Sequence, residues 1–226
     1  MDEKNTAYRA AKLFYDWTGI YGGVNINIRK NIPSRAGLGG GSADAAAVLQ
    51  AMNCMYGVGL TKPELEKMGA IIGADVSFCV AGGTCRCMGV GEKVFPVAPM
   101  PCCFIVICKP PVGMSTPRAY ERLDSCEPTK RMYTQDMISA LESGELLRVA
   151  GALNNRFDDA IKLNQVKRIE WWMLQNGALG ACMSGSGSAV FGIYDNETAA
   201  KRSRDWLCRY GEVFLTKPLR SGNKVG

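Results

Sequence analysis

A glycine-rich run constrains the fold of this chain more than any other feature of its sequence. Four glycines fall within five positions, at Gly37 and Gly39–Gly41, and Ser42 follows them. Before the run, Val24–Ile28 alternates strictly between apolar and polar residues, which predicts a half-buried strand. After it, Ala43–Tyr56 is rich in Ala, Leu and Met, which predicts a helix. The backbone therefore turns here from a strand into a helix, through glycines that can take positive φ.

Its position between a predicted strand and a predicted helix would let the segment from Pro33 to Ser42 bind an anion. A helix beginning near Ser42 presents unpaired backbone N–H groups and the positive end of its dipole. The segment thus predicts an anion site suited to a di- or triphosphate, with a plain helix-capping turn as the alternative. It is not a Walker A loop, because no Lys-Ser/Thr pair follows the last glycine, and the G-x-G-x-x-G dinucleotide spacing is absent. Asp44, in the first helical turn, is expected to stabilise the helix dipole rather than take part in chemistry.

An acid stands directly after a predicted helix end. Asp75 lies two residues beyond Gly73, between the small Ala74 and the apolar Val76, and this predicts a carboxylate that is not fully solvated. Its residue type fits either a turn aspartate that caps the next element or a base that takes a proton from a substrate hydroxyl.

A second glycine-serine segment, Ser184–Ser188, comes just before a predicted strand. Three serines and two glycines form a flexible loop with many hydrogen-bonding groups. The segment is either a tight turn or a loop that closes over a substrate or phosphate region.

Helix and strand patterns alternate along the chain and indicate an α+β protein. Pro99 and Pro101 interrupt the pattern, so we place a soft boundary near residues 96–101 and expect parts at 1–98 and 99–226. The remaining predicted helices are Asn5–Trp17 (capped by Asn5 and ended by Gly19), one from the Thr61 capping box to Gly73, Thr134–Leu141, Leu146–Ile161, Gln165–Gln175 and Glu197–Leu207. The remaining predicted strand regions are Val76–Cys87, Cys103–Cys108, Ala189–Tyr194 and Glu212–Thr216.

The composition narrows the functional class. The 226 residues contain ten cysteines and no histidine, so His-based triads and His-ligated metals are excluded. No cysteines have paired C-x-x-C spacing, and Cys54, Cys108 and Cys182 lie in apolar stretches, which predicts buried, reduced thiols in a cytoplasmic protein. The net charge of +6 is scattered without a basic block, which argues against nucleic-acid binding. No apolar run approaches the roughly 20 residues of a membrane span.

The three glycine-containing segments occur in an order that resembles the GHMP kinases: Pro33–Ala46, then Gly73–Val76, then Ser184–Gly187. Two further strings add to the resemblance, namely Gly89–Glu92 and Ser115-Thr116-Pro117 followed by Tyr120. The resemblance implies two lobes: a ribosomal-S5-like N-terminal lobe for ATP, here without its first strands, and a ferredoxin-like C-terminal lobe for the substrate.

The resemblance also implies an activity, namely ATP- and Mg²⁺-dependent phosphorylation of the 2-hydroxyl of 4-diphosphocytidyl-2-C-methyl-D-erythritol in isoprenoid precursor biosynthesis. Asp75 would be the catalytic base, and the enzyme a monomer or homodimer with a small-molecule substrate. The residues expected to contact this substrate are Thr116, Tyr120, Ser184 and Gly185. Those expected to contact ATP are Pro33, Ala36, Gly37, Leu38, Gly39, Gly40, Gly41, Ser42 and Ala43, with Ser42 also a candidate Mg²⁺ ligand.

The sequence departs from the family pattern in three places. Ala43 stands where the family usually has a second serine, and Ser77 where it often has proline. The family also opens with a strand that carries a catalytic lysine, followed by a Tyr-His segment that binds cytosine, and this sequence begins after both. We therefore expect weak ATP binding and little turnover from residues 1–226 alone. Another GHMP kinase (for mevalonate, homoserine or a sugar) and a non-catalytic nucleotide-binding remnant remain as alternatives.

Overall fold

The computed structural model describes residues 3–113, 115–126 and 134–219. In these ranges the chain forms helices and short antiparallel strands. The helices are α1 (Thr6–Thr18), α2 (Gly40–Met55), α3 (Lys62–Ile72), α4 (Val76–Ala81), α5 (Thr116–Asp124), α6 (Thr134–Ser143), α7 (Leu146–Gly151), α8 (Arg156–Ala160), α9 (Asn164–Gln175) and α10 (Glu197–Leu207). The strands are β1 (Cys85–Met88), β2 (Lys93–Pro96), β3 (Phe104–Lys109), β4 (Gly180–Met183), β5 (Val190–Tyr194) and β6 (Glu212–Thr216). No helix of the described ranges is long and apolar enough to cross a membrane.

The chain divides into two compact units. The first holds the described residues of Met1–Ile32, Gly39–Val97 and Leu219–Gly226, and the second holds those of Pro33–Leu38 and Ala98–Pro218. The glycine run is thus divided after Leu38. The assignment of ATP binding to residues 1–98 and substrate binding to residues 99–226 stays a prediction.

The first unit is built from α1–α4 and the β1–β2 hairpin. Its core combines small residues with a few large side chains, among them Ala10, Phe14, Ala45 and Leu49, all fully buried. The alanines bring α1 and α2 close together, and burial of the larger apolar side chains stabilises this packing. Gly69 serves the same purpose on α3, because a Cβ there would lie only 3.0 Å from the backbone nitrogen of Ser77 on α4.

Capping residues set the helix ends that the sequence predicts. The Asn5 side chain accepts a hydrogen bond from the Ala7 N–H at 2.9 Å, and Gly19 ends α1 in the left-handed conformation. In α3 the Thr61 N–H donates to Glu64 Oε2 at 2.7 Å, which completes the predicted capping box, and Gly73 ends the helix.

The second unit is built on a four-stranded antiparallel sheet in the order β4-β5-β3-β6. Helices α9 and α10 pack on this sheet, and their buried residues, including Ile169, Met173 and Leu207, join Val106 and Tyr194 of the strands in one core. The only polar group of the buried Tyr194 ring, its hydroxyl, lies 2.6 Å from Ser203 Oγ, so it is not left without a hydrogen-bond partner.

Four predictions of local structure are wrong. Val24–Ile28 alternates in burial, with Val24 and Ile26 packed on the core, but it is no strand and belongs to neither sheet of the described ranges. Val76–Cys87 contains helix α4 before strand β1, and Leu146–Ile161 is two helices, because Asn155 caps a second helix after α7 ends. Cys54 is exposed, because it falls on the outer side of α2, whereas Cys108 and Cys182 are buried as predicted.

Candidate functional site

The glycine run forms a helix start without a side-chain cap. Gly39 is the N-cap of α2 in the left-handed conformation, with φ of 64°, and as a glycine it makes no side-chain cap hydrogen bond to the first N–H groups. The helix begins at Gly40, two residues before the predicted start near Ser42, because consecutive glycines can join it. A 16-residue helix therefore presents its first N–H groups from a glycine backbone, which is the arrangement that binds anions.

This earlier start corrects the expectation for Asp44. Asp44 lies beyond the first turn of α2, and its carboxylate forms an ion pair with Lys30. Asp44 still has a structural rather than a chemical role, but the positive charge that it contacts belongs to Lys30 and not to the helix dipole. Ser42 is in the first turn and is half-buried.

A hydroxyl from α1 holds the beginning of α2. Thr6 Oγ1 donates a hydrogen bond to the Gly41 carbonyl at 2.7 Å. A Cβ at Gly41 would lie 3.4 Å from Thr6 Oγ1. The first helix of the unit thus fixes the backbone of the glycine run at its helical end.

The other end of the run lies against the glycine-serine segment. The Ser184 hydroxyl donates to the Gly37 carbonyl at 2.8 Å, and the Ala189 N–H donates to the Ala36 carbonyl at 3.0 Å. A Cβ at Gly37 would lie 2.0 Å from the Ser184 carbonyl oxygen, so only glycine permits this approach. Two segments that the sequence singled out separately are therefore in direct contact.

The glycine-serine segment is the loop between β4 and β5, and its serines bind three different parts of the second unit. Besides the bond from Ser184 to Gly37, the Ser186 hydroxyl lies 3.2 Å from Thr116 Oγ1, and Ser188 Oγ donates to the Val112 carbonyl. The loop is thus more than a tight turn, because side-chain hydrogen bonds connect it to the surrounding backbone.

Helix α5 carries two predicted substrate residues, Thr116 and Tyr120, but the sequence patterns did not predict a helix there. Ser115 is its N-cap and accepts from the Arg118 N–H at 3.4 Å, and Pro117 stands in its first turn. A serine followed by an early proline is a helix-start signal that could have revealed it. The structure places Thr116 beside the β4–β5 loop, whereas Tyr120 is 53% exposed and packs edge-on against Phe157 at 5.0 Å between ring centroids.

Asp75 is exposed, which contradicts the expectation that its neighbours would bury it. Val76 is fully buried, but Ala74 and Asp75 lie on the surface side of the turn before α4. Asp75 occupies the N-cap position without a side-chain cap bond, and among the described residues its carboxylate has no hydrogen-bond or ion-pair partner. One turn further on, burial raises the pKa of the Cys79 thiol to about 11, and the nearby charge of Asp75 adds to the effect.

The turn of the β1–β2 hairpin supports the backbone next to Asp75. A Cβ at Gly91 would lie 2.9 Å from the Ala74 carbonyl oxygen, and Gly91 has φ of 115°. Glu92 Oε2 accepts from the Val90 N–H at 2.8 Å, and hydrogen bonds from backbone N–H groups of this turn hold the pKa of Glu92 below its usual value. The strings Gly73–Val76 and Gly89–Glu92 are therefore neighbours in the fold.

The described residues contain no group of three acidic or thiol side chains that could hold a metal ion. The first side-chain oxygen after the uncapped start of α2 is the Ser42 hydroxyl. Magnesium takes few ligands from a protein, usually one or two carboxylates, and completes its shell with phosphates and water, so a single hydroxyl beside a helix start that favours anions could be one of its ligands.

Comparison with known proteins defines the class. The profile "GHMP kinases N terminal domain" matches residues 5–83, and "GHMP kinases C terminal" matches residues 137–213. The chain is 40% identical to 4-diphosphocytidyl-2-C-methyl-D-erythritol kinase of Clostridium novyi, over 97% of this chain and 79% of the relative. It is 45% identical to the enzyme of the same name from Caldicellulosiruptor saccharolyticus, over 95% of this chain and 75% of the relative.

Solved structures agree with this comparison. A crystal structure of 4-(cytidine 5′-diphospho)-2C-methyl-D-erythritol kinase matches with a TM-score of 0.81 and 32% identity, over 97% of this chain and 79% of that one. Homoserine kinase from Cytophaga hutchinsonii also has a TM-score of 0.81 but only 21% identity, over 97% of this chain and 78% of that one, and so shares the fold. The chain belongs to the GHMP kinase family and, like the kinases it matches, is an enzyme that transfers phosphate to a hydroxyl group. The predicted α+β GHMP kinase fold is confirmed.

Proposed function

We propose that this protein is a 4-diphosphocytidyl-2-C-methyl-D-erythritol kinase, which transfers the γ-phosphate of ATP to the 2-hydroxyl of that alcohol in isoprenoid precursor biosynthesis. The observation that carries the proposal is identity of 40–45% along 95–97% of the chain to relatives of this name. Fold alone does not give the substrate, since a homoserine kinase has the same fold at 21% identity. A small-molecule substrate, a cytoplasmic location and a monomer or homodimer belong to the same proposal.

The glycine run is the proposed binding site for the phosphates of ATP. Left-handed glycines and an uncapped start of α2 support this role, because N–H groups and the helix dipole both favour an anion. The contacting residues of the proposal are Pro33, Ala36, Gly37, Leu38, Gly39, Gly40, Gly41, Ser42 and Ala43. Ser42 would also offer its hydroxyl to Mg²⁺, which neutralises phosphate charge when it is bound with the nucleotide.

Asp75 is the proposed base. Its carboxylate is exposed and unpaired among the described residues, so both oxygens can accept a proton from an approaching hydroxyl. Phosphoryl transfer depends mainly on positioning and charge neutralisation, and a base needs only to orient the hydroxyl and take its proton. The contact between Gly91 and Ala74 supports this function by restricting the backbone beside the carboxylate.

The alcohol substrate is assigned to the second unit, at Thr116, Tyr120, Ser184 and Gly185. Support comes from the hydroxyl pair of Thr116 and Ser186, and from the exposed ring of Tyr120 on the same helix as Thr116. A hydroxyl cluster beside an aromatic ring can bind a polar substrate that also carries flat or apolar groups.

The proposal is tested by ADP release from the full-length protein with a panel of alcohols. We expect turnover with 4-diphosphocytidyl-2-C-methyl-D-erythritol and background rates with homoserine, mevalonate and galactose. Phosphorus NMR of the product would show a new phosphate monoester on the 2-oxygen. Turnover of another alcohol, or nucleotide binding without turnover of any, would contradict the proposal and favour a different GHMP kinase or a non-catalytic nucleotide-binding protein.

A further inference from the structure

We propose that Asn155 is a positioning residue: its side chain holds the β4–β5 loop, and through Ser184 it sets the first half of the glycine run. This inference rests on the proposed role of the glycine run in binding ATP. Asn155 was not among the residues that the sequence patterns singled out.

The amide of Asn155 uses both of its N–H donors and its oxygen acceptor. Its Nδ2 donates to the carbonyl of Met183 at 2.8 Å and to the carbonyl of Gly185 at 2.9 Å, and its Oδ1 accepts from the Phe157 N–H at 3.0 Å. The two carbonyls lie on either side of Ser184. One side chain therefore fixes the backbone on both sides of this serine, and is itself held by the start of α8.

Ser184 connects the loop backbone held by Asn155 to the glycine run. Its hydroxyl donates to the Gly37 carbonyl at 2.8 Å, and its own carbonyl lies where a Cβ at Gly37 would be only 2.0 Å away. The Ser184 backbone thus occupies the space that a side chain at position 37 would need, and a shift of the loop away from Gly37 breaks the hydrogen bond. The position of Gly37 thus depends on the backbone that Asn155 holds.

Asparagine suits this position better than its near relatives. A primary amide of this length has two N–H donors and an acceptor, which match two carbonyls and one N–H. Aspartate keeps the acceptor for Phe157 but turns its second oxygen towards two carbonyl oxygens. Serine also keeps an acceptor for the helix start, but its side chain is too short to reach both carbonyls.

The difference between these residues gives the experiment. Asn155→Asp preserves the cap of α8, since aspartate is as good an N-cap as asparagine, and removes both bonds to the loop. We would measure binding of Mg²⁺ with a non-hydrolysable ATP analogue to the full-length protein by calorimetry, and the Tm of each variant. We expect affinity to fall about tenfold, since hydrogen bonds contribute up to about a factor of ten each.

Two matched controls make the same chemical change elsewhere. Asn196→Asp replaces the N-cap of α10, whose side chain accepts from the Ala199 N–H at 2.9 Å and makes no other hydrogen bond among the described residues. Asn154→Asp adds the same negative charge one residue from Asn155, at an exposed position. We expect both controls to bind the nucleotide as the wild type does.

Unchanged nucleotide affinity in folded Asn155→Asp would overturn the inference, and so would a lowered Tm with unchanged affinity, since that would show a merely structural role. If Asn155→Asp does not fold, Asn155→Ser takes its place, with the same expected loss and the same overturning result. A double-mutant cycle with Ser184→Ala should show effects that are not additive, because both changes act on one connection. The binding measurement uses no alcohol, so it separates failure of this inference from failure of the proposed alcohol specificity.

Discussion

The glycines of the glycine run differ in what they are needed for. A Cβ at Gly37, where φ is 73°, would meet the backbone of Ser184, whereas a Cβ at Gly39, where φ is 64°, would meet nothing within 4 Å. The first glycine is therefore required by the fold. The second leaves open space beside the start of α2, which is available to a ligand.

Two substitutions test this difference. Gly37→Ala should lower the free energy of unfolding by about 2–4 kcal/mol, because the new Cβ overlaps backbone and the residue has a left-handed conformation. Gly39→Val should cost less stability but sharply lower affinity for the nucleotide, because its side chain projects into the open space. Denaturant unfolding and calorimetry would measure the two effects. A Gly39→Val protein that binds ATP normally would place the phosphate loop elsewhere.

Asp75 is the residue on which the chemistry should depend. Asp75→Asn in the full-length enzyme should lower kcat by about 10²–10⁴, the usual contribution of a positioned base, and leave ATP affinity nearly unchanged. Asp16→Asn is the matched control, because Asp16 is an exposed acid of α1 in the same unit. An Asp75→Asn enzyme within twofold of the wild type would remove this residue from the mechanism.

At the scale of the element, α5 brings a hydroxyl and an aromatic ring to one side of the second unit. Its first residue, Thr116, approaches the β4–β5 loop, and Tyr120 lies one turn later against Phe157 of α8. The helix therefore relates the predicted substrate residues to each other with the regular spacing of one turn.

Tyr120→Ala should raise KM for the alcohol and change KM for ATP little, because Tyr120 lies outside both glycine segments. Tyr120→Phe keeps the ring contact with Phe157 and removes only the hydroxyl, so it separates packing from hydrogen bonding. Steady-state kinetics with each substrate varied in turn would measure both constants. An effect on ATP alone would mean that the two ligands have been assigned to the wrong residues.

At the scale of the whole molecule, a group of charges around the buried Glu170 should make stability depend on pH. Lys167 Nζ lies 3.0 Å from both Asp158 Oδ2 and Glu170 Oε2. Burial and the neighbouring Asp158 raise the pKa of Glu170 to about 7, and they outweigh Lys167, which alone would lower it. The folded protein thus keeps a proton that the unfolded chain loses near the ordinary pKa of 4.5.

Because the folded state binds this proton more tightly, its stabilising effect is complete below about pH 4.5 and is lost as the pH rises through about 7. Glu170→Gln, which cannot ionise, should flatten the fall in Tm between pH 5 and 8. Glu142→Gln, at an exposed position of α6, should leave the pH dependence as in the wild type. Equal slopes for wild type and Glu170→Gln would show that Glu170 does not titrate in this range.

Signals that act within a few residues were predictable from the sequence. Asn5 and Gly19 delimit α1, Thr61 and Gly73 delimit α3, and the predicted Glu197–Leu207 helix has the observed bounds. In each case a cap or a run of helix formers is local, so its energy does not depend on the rest of the fold. The glycine run was recognised for the same reason, since its backbone freedom belongs to the residues themselves.

Pairing and burial are decided only by residues far apart in the chain. Val24–Ile28 has the alternation of a strand, and its side chains do alternate in burial, but a ladder needs a partner that the pattern cannot supply. The short apolar run Val76–Ala81 fits strand or helix equally, and packing against α2 and α3 makes it a helix. Three further features likewise exist only once the chain has folded. They are the exposure of Asp75, the approach of Ser184 to Gly37, and the two hydrogen bonds that Asn155 donates to the β4–β5 loop. By itself the sequence determined the family, the uncapped glycine run and most helix ends, because these depend on residue type and short spacing. The tertiary structure alone decided which of these segments meet, because contacts between distant residues depend on the packing of the whole unit.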